Sequence, residues 1–357
     1  MPRFSFSCFR PFRSFASVCH MPMIDLRSDT VTRPTPAMLK AMTEAELGDD
    51  IFDDDPTVDR LEALVAETLG KEASMFVPSG TQSNLAALMT HCGRGDEYLV
   101  GQQAHTYLFE GGGGATLGGI QPQPIDQEPD GTLDLDKLAK LIKPDDYHYA
   151  RTRLLCLENT TWGKVLPQEY LAKAKAFADE HGLALHLDGA RIFNAAVDQE
   201  ITAAEIAAPF DSVSVCLSKG LGCPIGSVLA GAADFVKEAR RWRKMLGGGM
   251  RQSGILAAAG IHALQHHVYR LADDHANARL LAKGLDGIDG IEVATVQTNM
   301  VFATVEEDKI TGLAEHLRNN EILITNPIAG SLRLVTHLDV DSDAIRTAIA
   351  AFAEYFA

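Results

Sequence analysis

Three features in the middle of the chain have residue types that could share one piece of covalent chemistry. Lys219, in Ser218-Lys219-Gly220, carries an amine that can condense with a carbonyl. Asp188, closing Leu185-His186-Leu187-Asp188, puts a carboxylate at the end of an apolar run. Ser79-Gly80-Thr81 opens a helical stretch, Gln82–Thr90, whose backbone N–H groups and two hydroxyls suit a phosphate. Each has a plainer reading: Ser-Gly-Thr is also an ordinary helix cap, Asp188 could cap the next helix, and a lone lysine after a strand is usually solvated. Taken in order, with 31 residues from Asp188 to Lys219, the three match what pyridoxal phosphate requires. That cofactor needs a Schiff-base lysine, an acid that keeps its ring nitrogen protonated, and a phosphate cup. A flat ring also wants a stacking partner, and His105 lies between cup and acid. Arg333, on the alternating run Leu332-Arg333-Leu334-Val335, either pairs internally or recognises a carboxylate through its planar fork.

The elements that must position these residues are legible as alternation. Strands are expected at Ser74–Val77, Tyr98–Val100, Arg153–Glu158, Ala184–Asp188, Ser212–Leu217 and Ser227–Ala230, with helices between most of them. Thr57–Leu69 places Leu61, Leu64, Val65 and Leu69 on one face, with Asp55 as cap and Pro56 in the first turn. Gln168–His181 reads as a helix stopped by Gly182, and Arg191–Val197 as another. This predicts an α/β fold with a mainly parallel sheet covered by helices, binding ligands at the carboxyl ends of its strands. Beyond about residue 270 the pattern changes to a smaller α+β unit. Its expected strands are Glu292–Val296, Met300–Val305, Ile322–Thr325 and Leu332–Thr336, with helices near 309–319 and 341–356. The expected division is 1–22, 23–270 and 271–357, with the last boundary along the long helix before Arg270.

Composition excludes several classes. The 357 residues hold 32 basic against 48 acidic side chains, a formal charge of −16, which argues against nucleic-acid binding. No apolar run approaches the roughly 20 residues of a membrane span. Six cysteines without a C-x-x-C pair suggest neither a zinc site nor a disulfide framework, and free thiols fit a reducing cytoplasm. No bound metal is expected. The glycines at 111–114 and 118–119 follow Tyr107-Leu108-Phe109-Glu110, which does not read as a strand, so a dinucleotide loop fails its context. The first 22 residues contain three arginines and no acid, as a transit peptide does. We favour an upstream start codon, with Met21 or Met23 as the first residue, and expect the extension to be dispensable.

From Ile24 onward the chain resembles the low-specificity L-threonine aldolases, pyridoxal-phosphate enzymes of fold type I. The matching stretches, in family order, are Asp25-Leu26-Arg27-Ser28-Asp29-Thr30-Val31-Thr32, Pro78-Ser79-Gly80-Thr81-Gln82-Ser83-Asn84, and His186-Leu187-Asp188-Gly189-Ala190-Arg191. Next come Leu217-Ser218-Lys219-Gly220-Leu221-Gly222, Gly248-Gly249-Met250-Arg251-Gln252-Ser253-Gly254 and Arg333-Leu334-Val335-Thr336-His337.

The resemblance implies cleavage of L-threonine, L-allo-threonine and other β-hydroxy-L-amino acids to glycine and an aldehyde. It implies that Lys219 is the Schiff-base lysine, Asp188 the partner of the ring nitrogen, Ser79, Gly80 and Thr81 the phosphate cup, and His105 the stacking residue. Arg191 would lie near the ring hydroxyl and substrate, and Arg333 and Ser28 would hold the substrate carboxylate. His148 would face the substrate hydroxyl, and Arg251 would reach the phosphate of a neighbouring subunit. A homotetramer with sites at dimer interfaces is implied, with a small amino acid as the partner. His105, His148 and an ordered water remain the candidates for the base. The alternative is another fold-type-I enzyme, a β-eliminating lyase or an aminotransferase. One departure stands out: many relatives read Asp-Asp-Val-Tyr-Gly where this chain has Asp49-Asp50-Ile51-Phe52-Asp53. Phe52 keeps the ring and loses the hydroxyl.

Overall fold

The computed structural model describes residues 23–327 and 330–357; the expectations for residues 1–22 lie outside them. The strands are β1 (Ile24–Asp25), β2 (Ala73–Val77), β3 (Asp96–Gly101), β4 (Gln121–Ile125), β5 (Arg151–Glu158), β6 (Ala184–Asp188), β7 (Ser212–Cys216), β8 (Ser227–Gly231), β9 (Ile291–Val293), β10 (Met300–Val305), β11 (Ile322–Leu323) and β12 (Ser331–Val335). Seven of them form the central sheet in the order β2-β8-β7-β6-β5-β3-β4. Every pairing is parallel except the two made by β8, which runs against both β2 and β7. Strands β2, β3, β5, β6 and β7 therefore end along the same edge.

Helices cover both faces because alternate side chains of a strand point opposite ways. On β2, Phe76 enters one core while Met75 and Val77 enter another. On β5, Leu155 and Leu157 face one side and Leu154 and Cys156 the other. The helix Pro56–Leu69 begins where Asp55 accepts the N–H groups of Thr57 and Val58, and stops at Gly70, whose φ of +63° is the left-handed conformation. It buries Leu61, Val65 and Leu69.

Strand β4 was not foreseen. Its sequence, Gln-Pro-Gln-Pro-Ile, lacks two backbone donors, which suits only the sheet edge it occupies. The smaller sheet, β12-β10-β9, is antiparallel and packs over a separate core that includes Leu26, Leu281, Val301, Leu334 and Phe352. The segment expected as strand Ile322–Thr325 is shorter and lies outside this sheet. It pairs in parallel with β1, binding the N-terminal arm to the smaller unit. The arm continues past Leu26, whose carbonyl accepts from Val335 N, and so reaches the carboxyl edge of the large sheet.

Candidate active site

Strand β2 leads into the helix Gly80–His91, where Ser79 Oγ accepts from Gln82 N. A β-carbon at Gly80 would stand 2.7 Å from Cys216 Sγ, so only glycine lets β7 come this close. Ser227 Oγ, on the same side of Gly80, is buried without a hydrogen-bond partner. Asp188, at the end of β6, is 3% exposed. Its carboxylate accepts from Asn84 Nδ2 at 2.8 Å and Ala190 N at 3.1 Å, both neutral. Lys219, two residues beyond Leu217, is half-buried; its carbonyl accepts from Thr32 Oγ1, and its amine makes no hydrogen bond or ion pair among the described residues.

His105 begins a short helix after β3. Its backbone N–H donates to Glu158 Oε2 at 2.7 Å, and its Nδ1 lies 2.9 Å from Glu110 Oε1. Glu110 Oε1 also accepts from Asn84 Nδ2 at 2.9 Å. His105, Glu110 and Asp188 offer atoms within 4.8 Å of one another, and Asn84 donates to both carboxylates. Burial, reinforced by the charge of Asp188, pushes the Glu158 carboxyl up to about 7.

A second cluster is built from three distant segments. Asp29, on the N-terminal arm, is buried and pairs with Arg191 at 2.6 Å; Asn299 Nδ2 also donates to it. Burial alone would raise the Asp29 pKa, but Arg191 overrides it and brings the value down to about 2. Arg333 Nη2 donates to the Arg27 carbonyl. Burial and the nearby charge of Arg191 push the Arg333 pKa below the ordinary arginine value. Arg333 has no carboxylate partner among the described residues, so its fork is a place for an anion. Ser28 Oγ caps the next turn, accepting from Thr30 N and Thr30 Oγ1, so its own proton is free to donate outward.

Two expected residues are not brought to this group within one chain. His148 precedes β5 and lies at the opposite end from Glu158, roughly 20 Å away along the strand. It is exposed, with Nδ1 against Asp146 Oδ1 at 2.6 Å and its ring on Tyr147. Arg251 pairs with Asp49 at 3.0 Å and sits over the Phe52 ring, 5.8 Å from its centre. Phe52 is itself 74% exposed.

The residues that do converge fit pyridoxal phosphate. Among the described residues a buried carboxylate has no ion-pair partner and a lysine amine is unengaged, and a glycine cradle carries an orphaned hydroxyl. The comparisons agree. A family model described as beta-eliminating lyase matches residues 25–308. The low specificity L-threonine aldolase of Escherichia coli K12 is 58% identical over 324 residues, 90% of this chain and 96% of that one. The low-specificity L-threonine aldolase 1 of Arabidopsis thaliana is 44% identical over 343 residues, covering 93% and 96%. The chain belongs to the low-specificity L-threonine aldolase family. The solved threonine aldolase of Leishmania major shares the fold, with a TM-score of 0.79 at 24% identity, over 93% of this chain and 99% of that one. Sequence reasoning gave no role in this threonine aldolase family member to Asp29, Asn84, Glu110, Glu158 or Asn299. Asp29 and Asn84 stand inside the matching stretches, where they carried a signal. Glu110 and Glu158 show theirs only as acids beside apolar runs, at positions that become buried through tertiary packing.

Proposed function

We propose that the protein holds pyridoxal phosphate on Lys219 and uses it to split L-threonine, L-allo-threonine and other β-hydroxy-L-amino acids into glycine and an aldehyde. The observation that carries this reading is the meeting, at one sheet edge, of an unpaired lysine amine, a buried carboxylate without a cation, and a glycine cradle. When bound, the cofactor supplies an electron sink for the pair released as the Cα–Cβ bond breaks.

The chain's own residues would bind, orient and move protons. Ser79, Gly80 and Thr81 would hold the phosphate at a helix start. Asp188, aimed by Asn84 and Ala190, would keep the ring nitrogen protonated, and His105 would lie against the ring face. Arg333, Ser28 Oγ and the Asp29-anchored Arg191 would clamp the substrate carboxylate. That clamp would orient the substrate so that the electron pair released as the Cα–Cβ bond breaks can pass to the cofactor. A base must then take the β-hydroxyl proton, a service typically worth about 10²–10⁴-fold. His105 Nε2 is available for this. His148 could serve only from another subunit, and a water held by either ring is the third candidate.

The E. coli and Arabidopsis relatives favour the aldolase over β-elimination or amino transfer. We take the enzyme to be a homotetramer with sites shared across dimer interfaces, because His148 and Arg251 have roles only if a neighbour receives them. We divide the chain into a cofactor-binding domain with its N-terminal arm, 23–270, and a smaller domain, 271–357, whose core also takes in Leu26 of the arm. We assign it to threonine catabolism and glycine formation in the cytoplasm; four buried free cysteines are in keeping with a reducing compartment. No helix among the described residues is long and apolar enough to cross a membrane. Incubation with L-threonine should give equal amounts of acetaldehyde and glycine. Ammonia with 2-oxobutanoate, in place of acetaldehyde, would overturn the reading.

A further inference from the structure

His105 is gripped by hydrogen bonds whose directions can be worked out. Asn84 Nδ2 can only donate, and its two hydrogens reach Glu110 Oε1 at 2.9 Å and Asp188 Oδ2 at 2.8 Å. The opposite amide orientation would set its oxygen against two carboxylates. The orientation is also supported from behind: Asn84 Oδ1 lies 3.3 Å from His186 Nε2, and His186 Nδ1 lies 2.8 Å from Ser212 Oγ. His186 is fully buried, which pushes its pKa down to about 3 and keeps it neutral, with one N–H to give to Asn84. Glu110 Oε1 therefore receives a hydrogen from Asn84 and presents its remaining lone pair to His105 Nδ1. Burial raises the Glu110 pKa, while the hydrogen bonds from His105 and Asn84 lower it; with the carboxylate ionised, Nδ1 is the donor.

We propose that Glu110 is a positioning residue for His105: it accepts the hydrogen bond from Nδ1–H, leaves Nε2 as the nitrogen offered to the reacting side, and through Asn84 joins that choice to Asp188. The proposal rests on the function given above for what Nε2 does, but not for how the ring is held. The charged groups facing His105 are Glu110 just beyond its own short helix, Asp188 at the end of β6, Lys219 after β7 and Glu158 at the end of β5. The Glu110 hydrogen bond is the largest influence and raises the His105 pKa; burial opposes it, Asp188 adds to the rise and Lys219 subtracts. A ring with a fixed tautomer and a raised pKa is a stronger base at Nε2 than a free imidazole.

The test is exchange of the imidazole C2 hydrogen in D2O, read by mass spectrometry on the His105 peptide of the holoenzyme across pH. Glu110→Gln keeps the side chain's size and its capacity to accept from Asn84 but removes the charge. The exchange midpoint of His105 should move to lower pH in this variant, and Glu110→Asp should retain part of the elevation. The acid limb of the kcat/KM profile for threonine should move the same way, with a lower plateau, because the base is weaker. Identical midpoints in wild type and Glu110→Gln would overturn the proposal. So would a wild-type midpoint at or below that of free histidine, about 6.5, a result that needs no folded variant. Exchange reports the ring whatever reaction is catalysed. A raised midpoint lost in Glu110→Gln, in an enzyme that makes no aldehyde, would sink the aldolase reading and leave Glu110 in place.

Discussion

Asp29 grips Arg191 with both carboxylate oxygens, Oδ2 to Nε at 2.8 Å and Oδ1 to Nη2 at 2.6 Å, across 162 positions of chain. The pair fastens the N-terminal arm to the residue that opens the helix after β6. It also fixes where the Arg191 charge sits relative to Arg333.

Asp29→Asn should therefore cost both stability and substrate binding. Removing one partner of a buried ion pair typically costs about 3–5 kcal/mol, which urea unfolding at neutral pH would read, and KM for L-threonine should rise at least tenfold. The acid response follows from the depressed pKa. A carboxylate held at about 2, against an ordinary 3.8, contributes stability that is complete above the ordinary value and is lost as pH falls through the folded one. Between about pH 4 and 2, wild type should lose more stability than Asp29→Asn. Parallel losses would show that the pair contributes nothing.

The placement of Arg251 leads to a complementation experiment. In its own chain the guanidinium pairs with Asp49 and its side chain is 55% exposed, so it is free to reach a neighbour. Lys219→Ala and Arg251→Ala should each be inactive alone. Refolded together, they should regain a measurable share of activity, since some hybrid sites carry both native residues. No recovery in mixed oligomers, or an active monomer in sedimentation, would refute shared sites.

Stereochemistry tests the carboxylate clamp. In the proposed site the α-centre would be held at the amine, at the carboxylate and by the orientation of the Cα–Cβ bond. Inverting it takes the carboxylate away from Arg333 and leaves charges unpaired, a cost of about 2–5 kcal/mol. D-threonine should be rejected. The β-carbon would be held less firmly, since its hydroxyl can be met by either histidine or by water. The kcat/KM values for L-threonine and L-allo-threonine should lie within about 100-fold of each other, a difference of about 2.7 kcal/mol. A wider gap would show a β-site more tightly built than this one.

The large sheet was legible because buried parallel strands are short apolar runs, and helices between them carry their own caps and stops. Asp55 and Pro56 announce the start of one helix, and Gly182 the end of another. Strand β4 was hidden because two prolines in five residues read as a loop, and only its edge position makes them tolerable. The pairing of β1 with β11 joins residues some 300 apart and leaves no local trace. The chemistry-bearing residues at strand ends were visible by type and order. Their supports were not: Glu110 looks like an ordinary acid beside a glycine-rich loop until β3 and β6 bring His105 and Asp188 to it. His148 and Arg251 mark the other limit, since one chain leaves both away from the group around Lys219.

Reduction of the cofactor-loaded protein with borohydride, followed by digestion and mass spectrometry, would show which lysine carries the cofactor. The amine of Lys219 is unengaged and flanked by Asp29, Glu158 and His105, whose pKa values all respond to its charge. A pyridoxyl group should be found on the peptide containing Lys219, and the visible absorbance should be lost with its attachment. A pyridoxyl group on any other lysine, or none on a protein that still releases glycine and acetaldehyde, would contradict the assignment of Lys219.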